Sequence, residues 1–127
     1  MESTVLKGRR NFVVLGNTTD ESKYAYRIKK ALSDNGYAVT AVPEEKDSLD
    51  EVDFDIDLLD FCINPKRGLD LIRNTDKKIA FAVLQPGAGS EEIEKALEEK
   101  KIPFVNGCVL RELEKEGRYS FEDSANR

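Results

Sequence analysis

Histidine is absent from all 127 residues, and tryptophan with it. The missing imidazole removes Ser-His-Asp and Cys-His catalysis, the common zinc sites and the ordinary proton shuttle of neutral pH. Cysteine occurs only as Cys62 and Cys108, too sparsely for a disulfide scaffold. Both fall in or at the end of predicted strands, where a packed thiol is the plainest reading. Basic residues are outnumbered, 20 Lys and Arg against 25 Asp and Glu, for a net charge of −5. That balance argues against a general binder of nucleic acid or anionic membrane, since both need a basic face. No apolar run approaches the length of a membrane span. The opening Met1-Glu2-Ser3-Thr4 lacks the basic-then-apolar layout of a signal peptide, so a cytoplasmic location is expected.

What is present alternates in period. Residues 12–15 form a continuous apolar run, as in a strand covered on both faces. Residues 22–35 read as a helix, with Tyr24, Ile28, Ala31 and Leu32 recurring at three and four and Asn35-Gly36 closing it. A second strand covers 37–42 and ends at Pro43. One weak helical turn is expected at 48–52, a third strand at 56–63, a helix at 65–74 and a fourth strand at 78–84. Ser90 caps a helix running to about Lys100, with Glu91 and Glu92 at its positive end. A short strand at 103–105 and a short helix at 110–115 follow. The run Asp53-Phe54-Asp55-Ile56-Asp57 imitates the start of a calcium loop, but Leu58 and Asn64 stand where the loop needs Gly and Glu. No metal is expected.

Strands alternating with helices define an α/β, Rossmann-like three-layer fold: a five-stranded parallel sheet with helices on both faces. Right-handed crossovers favour the order 3-2-1-4-5, with ligands outside the C-terminal strand ends near the switch point between strands 1 and 4. The expected organisation is a lead-in over 1–10, one domain over 11–116 and a polar, frayed tail over 117–127. Lys7-Gly8-Arg9-Arg10 precedes strand 1 and reads as a solvated lead-in at the opposite edge.

The C-terminal edge collects Gly16-Asn17-Thr18-Thr19, Val42-Pro43, Asn64-Pro65, Gln85-Pro86-Gly87 and Asn106-Gly107-Cys108. Such residues let a backbone approach a ligand and supply neutral hydrogen-bonding groups. Lys23, and Lys66 with Arg67, fall in first helical turns, where cations oppose the helix dipole by about 0.3–1 kcal/mol each. A phosphate would offset that cost. Asp20 and Glu21 beside the first loop act the other way.

Taken in order, these pieces resemble the small stand-alone CoA-binding domain proteins, whose domain is similar to the CoA-binding half of the succinyl-CoA synthetase α subunit. The matching pieces are Val13-Val14-Leu15-Gly16, Tyr26-Arg27-Ile28 through Leu32, Gly36-Tyr37-Ala38-Val39, Val42-Pro43, Asp57 leading into Asn64-Pro65, Leu84-Gln85-Pro86-Gly87 with Ser90-Glu91-Glu92, and Val105 through Cys108. The family's Gly-Ala-Ser-Pro in the first loop is Gly16-Asn17-Thr18-Thr19 here, and its Asp-Arg before the Cys is Asn106-Gly107. The resemblance implies that Gly16, Asn17, Thr18 and Thr19 hold a pyrophosphate and that Lys23 approaches a phosphate. It implies that Pro43, Asn64 and Pro65 flank the adenosine or its phosphates, and that Gln85, Pro86 and Gly87 form a wall. Cys108 matches the family's Cys, with packing as its plainest role.

The expected function is therefore CoA or acyl-CoA binding without catalysis, with a regulatory role open. An NAD-type dinucleotide site, with Glu44 after strand 2 as the ribose ligand, is the alternative, though G-x-G-x-x-G is absent. A scaffold without ligand and acyl transfer through Cys108 are the remaining readings. The expected partner is a small-molecule nucleotide; nucleic acid and membrane are not expected, and a homodimer stays open.

Overall fold

The computed structural model describes residues 2–121. Its elements run β1 (Asn11–Leu15), α1 (Tyr24–Asp34), β2 (Ala38–Val42), a 3-10 turn (Leu49–Glu51), β3 (Leu58–Phe61), α2 (Pro65–Arg73), β4 (Ala82–Leu84), α3 (Glu91–Glu99), β5 (Phe104–Asn106) and α4 (Val109–Lys115). All pairings are parallel. Because residue parity alternates across a strand, Val13, Leu15, Leu59 and Phe61 face one core, closed by Leu69 and Ile72 of α2 and Ile93 and Leu97 of α3. Phe12, Val14, Leu58 and Val83 face the other, closed by Ile28 and Leu32 of α1 and Val109 and Leu113 of α4. Each such side chain contributes about 1.5–3 kcal/mol on burial, which is why the strands read as unbroken apolar runs.

The strand order is 2-1-3-4-5, which corrects the expected 3-2-1-4-5. Burial explains it. Every residue of β3 is buried, as a central strand requires, whereas Ala38 of β2 is exposed and Val39 and Thr40 are half-buried, as at an edge. The connection from β2 crosses β1, anchored by buried Leu49 and Val52. The switch point therefore lies between β1 and β3.

Two further expectations are corrected. The lead-in is solvated only in part: Lys7, Gly8 and Arg10 are exposed, but Leu6 is buried, Arg9 donates from Nε to Val5 O (2.6 Å) and from Nη1 to Asp57 O (3.2 Å), and its guanidinium lies 4.4 Å from the Phe81 ring centroid. Asp57 accepts from the Arg10 and Asn11 N–H groups at 2.8 and 2.9 Å, tying that segment to the N-terminal edge. Residues 117–121 do not fray. Arg118 Nη2 donates to Tyr37 Oη at 2.6 Å, and the Tyr119 and Phe121 rings meet edge-on at 5.0 Å. The remainder of the expected tail, 122–127, lies outside the described residues. Among the described residues no helix is long and apolar enough to cross a membrane.

Candidate functional site

β1 ends where its backbone is wedged between β3 and α1. At Gly16 a Cβ atom would stand 2.4 Å from Cys62 O and 2.9 Å from Ala25 Cβ, and its φ is +153°. Only glycine fits. Its N–H donates to Val42 O at 3.1 Å. The polar loop beyond is organised by its own side chains. Asn17 Oδ1 accepts from Thr19 N, Thr19 Oγ1 and Asp20 N at 3.0–3.1 Å. Asp20 Oδ1 accepts from Ser22 N and Oγ at 2.9 and 2.7 Å, and these bonds hold its carboxyl below its ordinary range. Thr18 turns inward and is buried.

The loop delivers the chain to an open helix end. Lys23 is the N-cap of α1, in extended conformation, and no side chain caps it. The first turn contains no acid, so Asp20 and Glu21 precede the helix instead of opening it. The other two long helices differ. Asn64 Oδ1 accepts from Lys66 N at 2.9 Å at the start of α2, with Pro65 at its first position, and Ser90 Oγ accepts from Ile93 N at 3.2 Å at the start of α3. Uncapped N–H groups and the positive end of the macrodipole thus meet at the switch point only on α1.

Gly16, Asn17, Thr18, Thr19 and Lys23 come together there, with Pro43 beside them at the end of β2, after a cis Val42–Pro43 bond. Asn64 and Pro65 lie at the end of the neighbouring β3, but the Asn64 side-chain oxygen is committed to its own helix. Gln85 is buried, and its Oε1 accepts from Val109 N at 2.8 Å, pinning the start of α4 to the end of β4. Pro86 and Gly87 are exposed beside a cavity of about 350 Å3 at the ends of β4 and β5. Cys108 is the half-buried N-cap of α4, packed against the core under α1 and α4. A larger concavity, about 560 Å3, runs along the flank of α1 against residues 117–120. Of its three cations, Lys30 pairs with Asp34 at 2.8 Å, Arg118 pairs with Glu116 and Tyr37, and the Arg27 guanidinium lies 5.6 Å from the Tyr24 ring centroid.

Sequence reasoning missed Asp60. It sits mid-strand in β3 between Val14 and Val83, fully buried, and neither carboxylate oxygen has a hydrogen-bond partner. Burial raises its carboxyl well above the ordinary range, which favours its protonated form. The signal was a single acid inside an otherwise apolar strand, Leu58-Leu59-Asp60-Phe61. Two residues on, burial, with Asp60 and Cys108 adding to it, pushes the Cys62 thiol up to about 12. That thiol stays protonated and is no nucleophile. Both cysteines are free, and no group of three or more Cys, Asp or Glu among the described residues is arranged to hold a metal.

A parallel sheet with a glycine-ended first strand, an uncapped helix start and its switch point beside them defines an α/β domain of the nucleotide-binding kind. The model of the CoA binding domain family matches residues 10–114, and the chain belongs to that family. Among solved structures, it is similar to a PH1109 protein redesigned for binding, at 17% identity over 93% of this chain and 91% of that one, with a TM-score of 0.79. It is also similar to the cell-free ID.343 protein of Thermus thermophilus, at 26% identity over 91% and 94%, with a TM-score of 0.74. A conserved hypothetical protein of Pyrococcus furiosus shares 25% identity over 79% and 96%, with a TM-score of 0.64. None of the curated proteins matches the chain.

Proposed function

We propose that this protein binds CoA or an acyl-CoA without transforming it, in a regulatory role. The observation that carries the reading is the end of β1: a glycine that admits no side chain, followed by the one long helix among the described residues whose start no side chain caps. A pyrophosphate over Gly16–Thr19 would accept from those N–H groups, and Lys23 would offset its charge together with that of Asp20. Pro43, Asn64 and Pro65 would flank the adenosine side. Membership of the CoA binding domain family supports CoA over NAD. A non-catalytic role is supported by the lack of histidine and by a Cys62 thiol held in its protonated form.

Thermal unfolding with CoA, acetyl-CoA, NAD, NADP and ATP tests it. A ligand at 100 times its dissociation constant adds about 2.7 kcal/mol, which moves the midpoint by several degrees. CoA species are expected to give that shift and NAD none. A shift with NAD and none with any CoA species sinks the reading.

A further inference from the structure

The two ends of the ligand edge carry opposite electrostatics. The cavity at the ends of β4 and β5 is lined by Gln85, Gly87, Ser90, Glu91, Glu94 and Asn106, among others, with two carboxylates and no lysine or arginine. The helix start that faces it offers an anion nothing. Ser90 caps α3, and Glu91 and Glu94 fill its first turn, where the dipole favours them. Neutral hydrogen-bonding groups remain, from Asn106 and the backbone around Gly87 and Gly107. Adjacent strands lie about 4.8 Å apart, so this cavity, at the ends of β4 and β5, is two to three strands, roughly 10–14 Å, from Gly16. A ligand anchored by phosphates at the end of β1 and extended along the edge brings its far, uncharged end here.

We propose that this cavity receives the thiol or acyl end of the bound CoA, and that Glu91 and Glu94 make it reject acyl groups bearing a carboxylate. Neutral groups such as acetyl are accepted and dicarboxylic ones such as succinyl are excluded. The inference rests on the CoA-binding reading above. Two carboxylates, the exposed Glu91 and the half-buried Glu94, facing a third disfavour it by about tenfold in affinity at low ionic strength, and by less as salt screens them.

Calorimetric titration of the full chain with CoA, acetyl-CoA and succinyl-CoA at low and high salt tests this. Acetyl-CoA is expected to bind about tenfold more tightly than succinyl-CoA at low salt, with the gap narrowing at high salt. The double substitution Glu91→Gln with Glu94→Gln should close the gap, and Glu94→Lys should reverse it. Affinities within about twofold of each other in the unmodified protein, or a gap that survives both variants, overturn the inference while CoA binding itself stands. Absence of binding by all three overturns the inference and the reading beneath it.

Discussion

The start of α1 and the start of α3 are built from similar parts and do opposite things. Both follow a strand end and a short loop at the same sheet edge. At α3, Ser90 caps the helix and three acids, Glu91, Glu92 and Glu94, use its dipole. At α1 a lysine stands in the cap position, the first turn has no acid, and the preceding glycine is wedged too tightly for any side chain. A helix start that is stabilised internally has nothing left for an anion. One that is left open is less stable alone and available to a ligand. Local stability and binding capacity trade against each other within one edge.

The largest effect should come from closing the open end sterically. Gly16→Ala is expected to cost at least about 3 kcal/mol, because its Cβ collides with a backbone carbonyl at a positive φ. Urea unfolding measures this, and a loss under about 1 kcal/mol would mean the wedge relaxes easily. Next is Asp60, buried beneath the same rim. Its carboxyl titrates at higher pH in the folded than in the unfolded chain, so stability is full below the ordinary carboxylate pKa of about 3.9. It then falls by about 1.4 kcal/mol per pH unit until the raised native value is reached. Asp60→Asn should flatten that decline and leave the variant more stable than the parent at neutral pH; parallel stability curves would contradict it. Gln85→Ala should cost about 1–3 kcal/mol, by orphaning the buried Val109 N–H. Ligand affinity measured on the same variant separates pinning α4 from touching ligand.

The smallest effects sharpen the comparison most. Ser90→Ala should cost about 1 kcal/mol, and Lys23→Ser should stabilise the free protein by a similar amount while weakening CoA binding, since a capped start no longer offers its N–H groups. Stabilisation with unchanged affinity would separate α1 from the ligand.

The elements were legible in the sequence because strands buried on two faces are unbroken apolar runs and the helices carry plain caps, as at Asn64, Ser90 and Gly36. Strand order was not. It depends on which strand is buried on both sides, and Ala38-Val39-Thr40 at the edge is as apolar a string as a central strand needs. Within the lead-in, Arg9 looked solvated, as Lys7 and Arg10 are, because it reads as a charge. Its role as a packed side chain over Phe81 exists only once distant residues meet. The residue types at the site were legible as well, but not their assignments. Gln85 and Asn64 use their side-chain oxygens on helix starts, a commitment visible only in three dimensions.

The most direct test is an amide chemical-shift titration of the 14.3 kDa protein with CoA. The account predicts that the largest changes fall on the amides of residues 16–25, with smaller ones around Gly87 and Gly107. No change on saturation with CoA, or changes concentrated along residues 117–120, would contradict it.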